Sequence, residues 1–188
     1  MANYLNKELR DFSVQAYQNE EFKEVTLDSI KGKWSIFFFY PGDFTFVCPT
    51  ELEDLQNIYE DFKKADAEVY GISTDSEHVH KAWHDASERI SKVEYPLLSD
   101  RTHKLSKQFG VLGDDGNAQR GAFIINPDGI IRAYEISAGG VGRNAHEILR
   151  KLKACQFVEN NDFGGVCPAN WTEGDDTLTT GIDQVGKL

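Results

Sequence analysis

The chain has 188 residues, the size of one domain with room for an appendage; 40% are hydrophobic and 12% aromatic, enough to bury a sizeable core and to argue against a disordered chain. With 20 basic against 31 acidic residues the net charge is −11, a surface that repels phosphate backbones and anionic lipid heads and so argues against nucleic-acid and membrane partners. The three cysteines, Cys48, Cys155 and Cys167, are widely spaced and odd in number, which points to a reducing compartment and one working thiol rather than a disulfide scaffold.

The first dense apolar run, residues 34–40, is hydrophobic on both faces and predicts a buried central strand that stops at the turn Pro41-Gly42. From Pro49 the period becomes helical, with Leu52, Leu55, Ile58, Tyr59 and Phe62 on one face. Residues 69–73 read as a second buried strand, and 76–90 as a helix that turns Val79, Trp83 and Ala86 inward. A strand follows at 96–98, then a short helix over 104–109. Residues 121–126 and 130–136 read as a hairpin joined by Asn126-Pro127-Asp128-Gly129. Residues 144–155 form an amphipathic helix with Ile148, Leu149, Leu152 and Cys155 at core spacing. Alternating strands and helices closed by a hairpin describe an α/β layer fold with a mixed sheet.

After Val158 the composition changes. Residues 159–188 carry six acids and one lysine with little periodicity, which predicts a domain over 1–158 and an extended C-terminal arm over 159–188 that needs a surface to lie on. No apolar run approaches the roughly 20 residues of a membrane span. The stretch 1–8 lacks the apolar core of a secretory signal, so a soluble cytoplasmic protein is expected.

Cys48 sits between the buried strand and a helix whose first residue is predicted to be Pro49, a favoured first position. That places the sulfur beside unpaired backbone N–H groups at the positive end of a helix, surroundings that favour the reactive thiolate. A thioredoxin-type Cys-x-x-Cys would have its second thiol at position 51, which holds Glu51, so local dithiol exchange is excluded. An oxidised Cys48 must then be resolved by Cys155, by Cys167 or by an outside thiol. Cys155 reads as packing on a helix face; Cys167, on the arm, can travel and is the better candidate.

Phe38-Phe39-Tyr40-Pro41 through Thr45-Phe46-Val47-Cys48-Pro49-Thr50-Glu51 resembles the Pro-x-x-x-Thr-x-x-Cys signature of peroxiredoxins. Val166-Cys167-Pro168-Ala169-Asn170-Trp171 resembles the resolving-cysteine segment of their typical two-cysteine class, and His80–His84 and Arg120–Ile125 fall in family order between them. The resemblance implies a thioredoxin-like fold and reduction of hydrogen peroxide and organic hydroperoxides without metal, haem or flavin in this chain. It implies Cys48 as the peroxidatic thiolate, Arg120 as donor to the departing oxygen and Thr45 as the hydroxyl aligning sulfur and peroxide. Pro41 would shield the sulfur, and Glu51 would hold Arg120. Cys167 of a neighbouring subunit would condense with the Cys48 sulfenic acid, giving a disulfide-linked homodimer, and the dimers would form a ring of five. A flavoprotein disulfide reductase, or a thioredoxin-like carrier, would supply electrons. A different class, a ring-shaped chaperone or scaffold with secondary peroxidase chemistry, would not require Pro41, Thr45, Cys48 and Arg120 together.

Two departures bear on the chemistry. The Gly-Gly-Leu-Gly insertion and Tyr-Phe ending of peroxide-sensitive members have no counterpart here, so resistance to overoxidation is expected. Two further signals are set aside. Gly140-Val141-Gly142-Arg143-Asn144-Ala145 matches a dinucleotide motif, but no strand follows with a ribose-binding acid, so it reads as a glycine-rich turn. His78, His80 and His84 suggest a metal, with His80 and His84 one helical turn apart, yet without a carboxylate or thiol third ligand in view they read as a solvated helix face.

Overall fold

The computed structural model describes residues 3–161 and 164–186. It opens on a hairpin that no periodicity announced, β1 (Ser13–Gln18) and β2 (Glu21–Thr26), paired from Ser13↔Thr26 to Gln18↔Glu21. The first four residues of β2 are exposed, which leaves no apolar alternation, and the turn uses Asn19 and Glu20 at positive φ (50° and 63°) without a glycine. Helix α1 (Leu27–Ile30) follows under a capping box between Thr26 and Ser29.

β3 (Trp34–Phe39) is buried at all six positions, as predicted. Next come α2 (Cys48–Asn57), α3 (Tyr59–Lys64) and β4 (Ala67–Ser73). The single helical run expected from Pro49 is split at Ile58, which leaves helical dihedrals (φ −120°, ψ 18°), although its apolar face from Leu52 to Phe62 is buried throughout. α4 (Glu77–Ala86) starts under the Ser76 cap but ends four residues before Ile90, so Ala86 is exposed rather than turned inward. Then follow β5 (Leu97–Ser99), α5 (Lys104–Gln108) and the predicted hairpin of β6 (Arg120–Ile125) and β7 (Ile131–Ser137). Its turn is held by the Asn126 side chain, whose Oδ1 accepts from the N–H groups of Asp128 and Ile130 at 3.2 and 2.8 Å, with Gly129 at φ 81°.

The strands form one mixed sheet in the order β2-β1-β5-β4-β3-β6-β7, with β3, β4 and β5 parallel and the other pairs antiparallel. One face carries an aromatic cluster in which Phe37, Phe39, Phe109 and Phe123 meet at centroid distances of 4.7–5.8 Å. On the other face Gly71 lets α2 approach: a Cβ there would lie 2.8 Å from Leu97 Cδ2 and 3.5 Å from Leu52 Cδ2. Tyr95 pins the same helix by donating to the Leu52 carbonyl at 2.8 Å. The N-terminus of α2, and with it Cys48, is thereby fixed over the end of β3.

By its contacts the chain divides into two compact units, Met1–Ala145 and His146–Leu188. The second is built on α6 (Ala145–Asn160), which runs beyond its predicted end at Cys155, with β8 (Gly165–Val166) and β9 (Leu178–Thr179) paired antiparallel. The surface on which the polar arm lies includes its own helix. Trp171 is buried, its ring 5.3 Å from Phe157, and its carbonyl accepts from Arg150 Nη1 at 2.9 Å. Those contacts account for the extra helical turn. Among the described residues no helix is long and apolar enough to cross a membrane.

Candidate active site

The loop between β3 and α2 places the reactive residues. The hydroxyl of Thr45 donates to the Gly42 carbonyl at 2.8 Å, closing the loop on itself and leaving its lone pairs to accept. Val47 caps α2: its carbonyl accepts from Thr50 N at 3.0 Å and Thr50 Oγ1 at 2.7 Å. Cys48 is therefore the first helical residue and Pro49 the second, one position later than the sequence predicts. Either placement keeps the sulfur in the first turn, where proline removes no needed donor.

Cys48 is fully buried, and Arg120 Nη1 lies 3.4 Å from its Sγ. Arg120 opens β6, and its Nε donates to the Gly139 carbonyl at 2.7 Å while Nη1 also donates to Glu51 Oε2. Glu51 is one turn along α2 and is itself buried. A second guanidinium completes the group. Arg143 donates through its backbone N and its Nε to Glu51 Oε1, both at 2.9 Å, and through Nη2 to Oε2 at 3.1 Å. Its guanidinium carbon lies 3.4 Å from the centre of the Phe38 ring. Burial pulls Arg143 below its usual range, opposed by Glu51. The two buried guanidinium groups share the Glu51 carboxylate, Glu135 adds a further negative charge near Arg143, and Arg120 turns a donor toward the Cys48 sulfur.

Of the predicted residues, Arg120 contacts both Cys48 and Glu51, and Pro41 and Thr45 frame the loop that carries Cys48. Pro41, Gln119, Ile136 and Gly139 line a cleft of about 570 Å³ beside this group. Cys167 belongs to the second unit, where it is half-buried with its Sγ 3.9 Å from the Ala154 carbonyl. Burial pushes this thiol up, with Arg150 opposing. Cys155 is also half-buried, less covered than its core spacing predicts.

Arg143 is the member of this buried group that the sequence reading misses. It lies in the glycine-rich segment set aside above, and the available signal was a buried helix-start acid in need of more than one cation. The histidines are corrected too. His80 is not on a solvated face: it is fully buried, 2.7 Å from Asp43 Oδ2 and 3.2 Å from the Leu98 carbonyl. His84 does have carboxylates in reach, since its ligand atom and those of Glu20 and Asp85 lie within 4.8 Å of one another. Lys81 bridges those two acids at 3.2 and 2.8 Å.

A cysteine at a helix start, clamped by arginine on a mixed sheet, defines a thiol-dependent redox enzyme on a thioredoxin-like scaffold. Residues 5–134 match the AhpC/TSA family model, and 154–185 match the C-terminal domain of 1-Cys peroxiredoxin. Alkyl hydroperoxide reductase C of Bacillus subtilis is 51% identical over 185 residues, 98% of each chain. The crystal structure of Enterococcus faecalis AhpC superposes with a TM-score of 0.86 at 50% identity, covering 89% of this chain and 100% of that one. The reduced 2-Cys peroxiredoxin of Plasmodium vivax gives 0.89 at 35% identity, covering 94% and 93%. The chain belongs to the AhpC/TSA family and is a peroxiredoxin, a thiol-dependent peroxidase of antioxidant defence.

Proposed function

We propose that the protein reduces hydrogen peroxide and organic hydroperoxides to water and alcohols through Cys48, with Cys167 of a second subunit closing the cycle. The observation that carries this reading is the buried Cys48 sulfur 3.4 Å from Nη1 of Arg120, a fixed positive donor held by Glu51. The set Pro41, Thr45, Cys48 and Arg120 favours a peroxidase over a scaffold, which would not require all four together.

In the first step the Cys48 thiolate attacks the terminal oxygen of HO–OR. The S–O bond forms as the O–O bond breaks, two electrons pass to the peroxide, and the departing alkoxide or hydroxide takes a proton from water. Arg120 faces the negative charge as it develops, Thr45 accepts from the peroxide hydroxyl, and Pro41 limits water at the sulfur. Glu51 and Arg143 hold Arg120 in place. Cys167 then attacks the sulfenic sulfur, forming the disulfide and releasing water, and an external dithiol returns two electrons. A separate flavoprotein disulfide reductase, or a thioredoxin-like carrier, is the electron donor, and the cytoplasm is the compartment. β7 is an edge strand, and Phe44 and Phe46 are 58% and 93% exposed, surfaces suited to a homodimer and to a ring of five dimers.

Non-reducing electrophoresis of peroxide-treated protein tests the pairing. The parent forms a linked dimer, while Cys48→Ser and Cys167→Ser do not; a linked dimer from either variant contradicts it. Because burial raises the Cys167 thiol, less thiolate is present near neutrality. The dimer band therefore forms faster as pH rises through neutrality, by at most about tenfold per unit.

A further inference from the structure

The loop that delivers Cys48 is buried and polar-anchored to the neighbouring elements through its first half. Tyr40, Gly42 and Asp43 are buried, whereas Phe44, Thr45 and Phe46 are exposed. Asp43 marks the boundary. Its Oδ1 accepts from the Tyr40 hydroxyl at 2.8 Å, and its Oδ2 lies 2.7 Å from His80 Nδ1, with both side chains of the Asp43–His80 pair wholly buried. His80 Nε2 faces the Leu98 carbonyl of β5 at 3.2 Å. The backbone N of Asp43 donates to Asp75 Oδ2 at 2.9 Å, an oxygen that also accepts from the Ser73 hydroxyl at 2.8 Å. Both ring nitrogens of His80 thus face oxygens, one a carbonyl and one a carboxylate. The arrangement is fully satisfied only when one proton is shared between ring and carboxylate. The next residue, Phe44, adopts φ 54°, a conformation rare for an aromatic side chain, with its ring 6.1 Å from that of Trp83.

We propose that His80, acting through Asp43, is a positioning residue for Cys48. It clamps residues 40–43 as a fixed stem, and Phe44 is the hinge about which 44–51 unwind when buried Cys48 leaves its pocket for Cys167. This rests on the Cys48–Cys167 reading above and adds where the loop bends and what holds the other side. The stem keeps Pro41 and Gly42, the acceptor of Thr45, in register, so the refolded loop restores the same contact between Cys48 and Arg120. Loosening the stem populates the unwound loop. Peroxide capture then falls, and the sulfenic acid spends less time where a second peroxide converts it to sulfinic acid.

His80→Leu removes both ring hydrogen bonds and leaves Asp43 without its partner. Asp43→Asn keeps the geometry with a neutral pair: the amide N–H donates to His80 Nδ1, and its oxygen still accepts from Tyr40. The rate of Cys48 oxidation under single-turnover conditions and the sulfinic fraction per turnover, by intact mass, are the readouts. His80→Leu is expected to lower the rate by about 10- to 100-fold and to lower the sulfinic fraction. Asp43→Asn is expected to stay within about threefold of the parent in both, since its hydrogen bonds persist. Tyr40→Phe deletes one anchoring hydroxyl without emptying the core and is expected to shift both readouts in the His80→Leu direction, which keeps the test open if His80→Leu does not fold. Parent-like values for Tyr40→Phe and any folded His80→Leu, a slower rate with an unchanged sulfinic fraction, or a collapse in Asp43→Asn would each overturn the proposal. A parent protein that consumes no peroxide would instead overturn the underlying peroxidase reading.

Discussion

Glu51→Leu lowers the stability of the reduced protein by about 3–5 kcal/mol, because it strips the counter-charge from two buried guanidinium groups at once. The Arg120 and Arg143 side chains are 5% and 1% exposed, so neither can turn to water for compensation. Arg143 loses most: both Glu51 oxygens accept from it, and its Nη1 is already buried without a partner. In a chain of this length the loss appears as a fall of roughly 10 °C in the unfolding midpoint. The double variant Glu51→Leu/Arg143→Leu is expected to recover part of it, since it removes one of the two stranded cations and leaves Arg120 its contacts with the Cys48 sulfur and the Gly139 carbonyl. Thermal unfolding of the single and double variants under reducing conditions checks this. A double variant less stable than Glu51→Leu would mean that packing of Arg143 on Phe38, rather than charge, dominates.

Arg120→Leu has the opposite profile, with a modest cost in stability and a large one in chemistry. Glu51 keeps its three hydrogen bonds from Arg143, so the carboxylate is not stranded. The sulfur, however, loses the donor at 3.4 Å, and the departing oxygen loses the positive charge that would meet it. Removing one such preorganised donor is expected to cut kcat/KM for peroxide by about 10²- to 10³-fold. Arg120→Lys is expected to restore little. Nε serves Gly139 while Nη1 serves Glu51 and the sulfur, a fork that a single ammonium cannot reproduce. Steady-state peroxide reduction with excess dithiol separates the two variants.

How much of this was legible in the sequence varied with the physics of each segment. β3, β4 and the β6–β7 hairpin were readable because strands apolar on both faces, or closed by Asn-Pro-Asp-Gly, leave local signals. β1 and β2 were not: four of the six β2 residues face solvent, so the strand owes its existence to pairing with β1 rather than to its own pattern. The break at Ile58 was hidden because α2 and α3 bury one continuous apolar face. In the site, Cys48 and Glu51 share one helical turn and could be placed from spacing, whereas Arg120 came only with the family signature. Arg143 is brought to Glu51 across 92 positions of sequence by the end of the sheet. His80 was misjudged for a related reason. A helix face shows its period but not its partner, and the carboxylate that buries His80 lies 37 residues earlier in another loop.

The most direct measurement is peroxide consumption with excess dithiol reductant by the parent, Cys48→Ser and Cys155→Ser at equal folded concentration. The parent and Cys155→Ser are predicted to consume peroxide at the same rate, with Cys48→Ser at the rate of the reductant alone. Consumption by Cys48→Ser at the parental rate would contradict the assignment of the chemistry to the buried thiol beside Arg120.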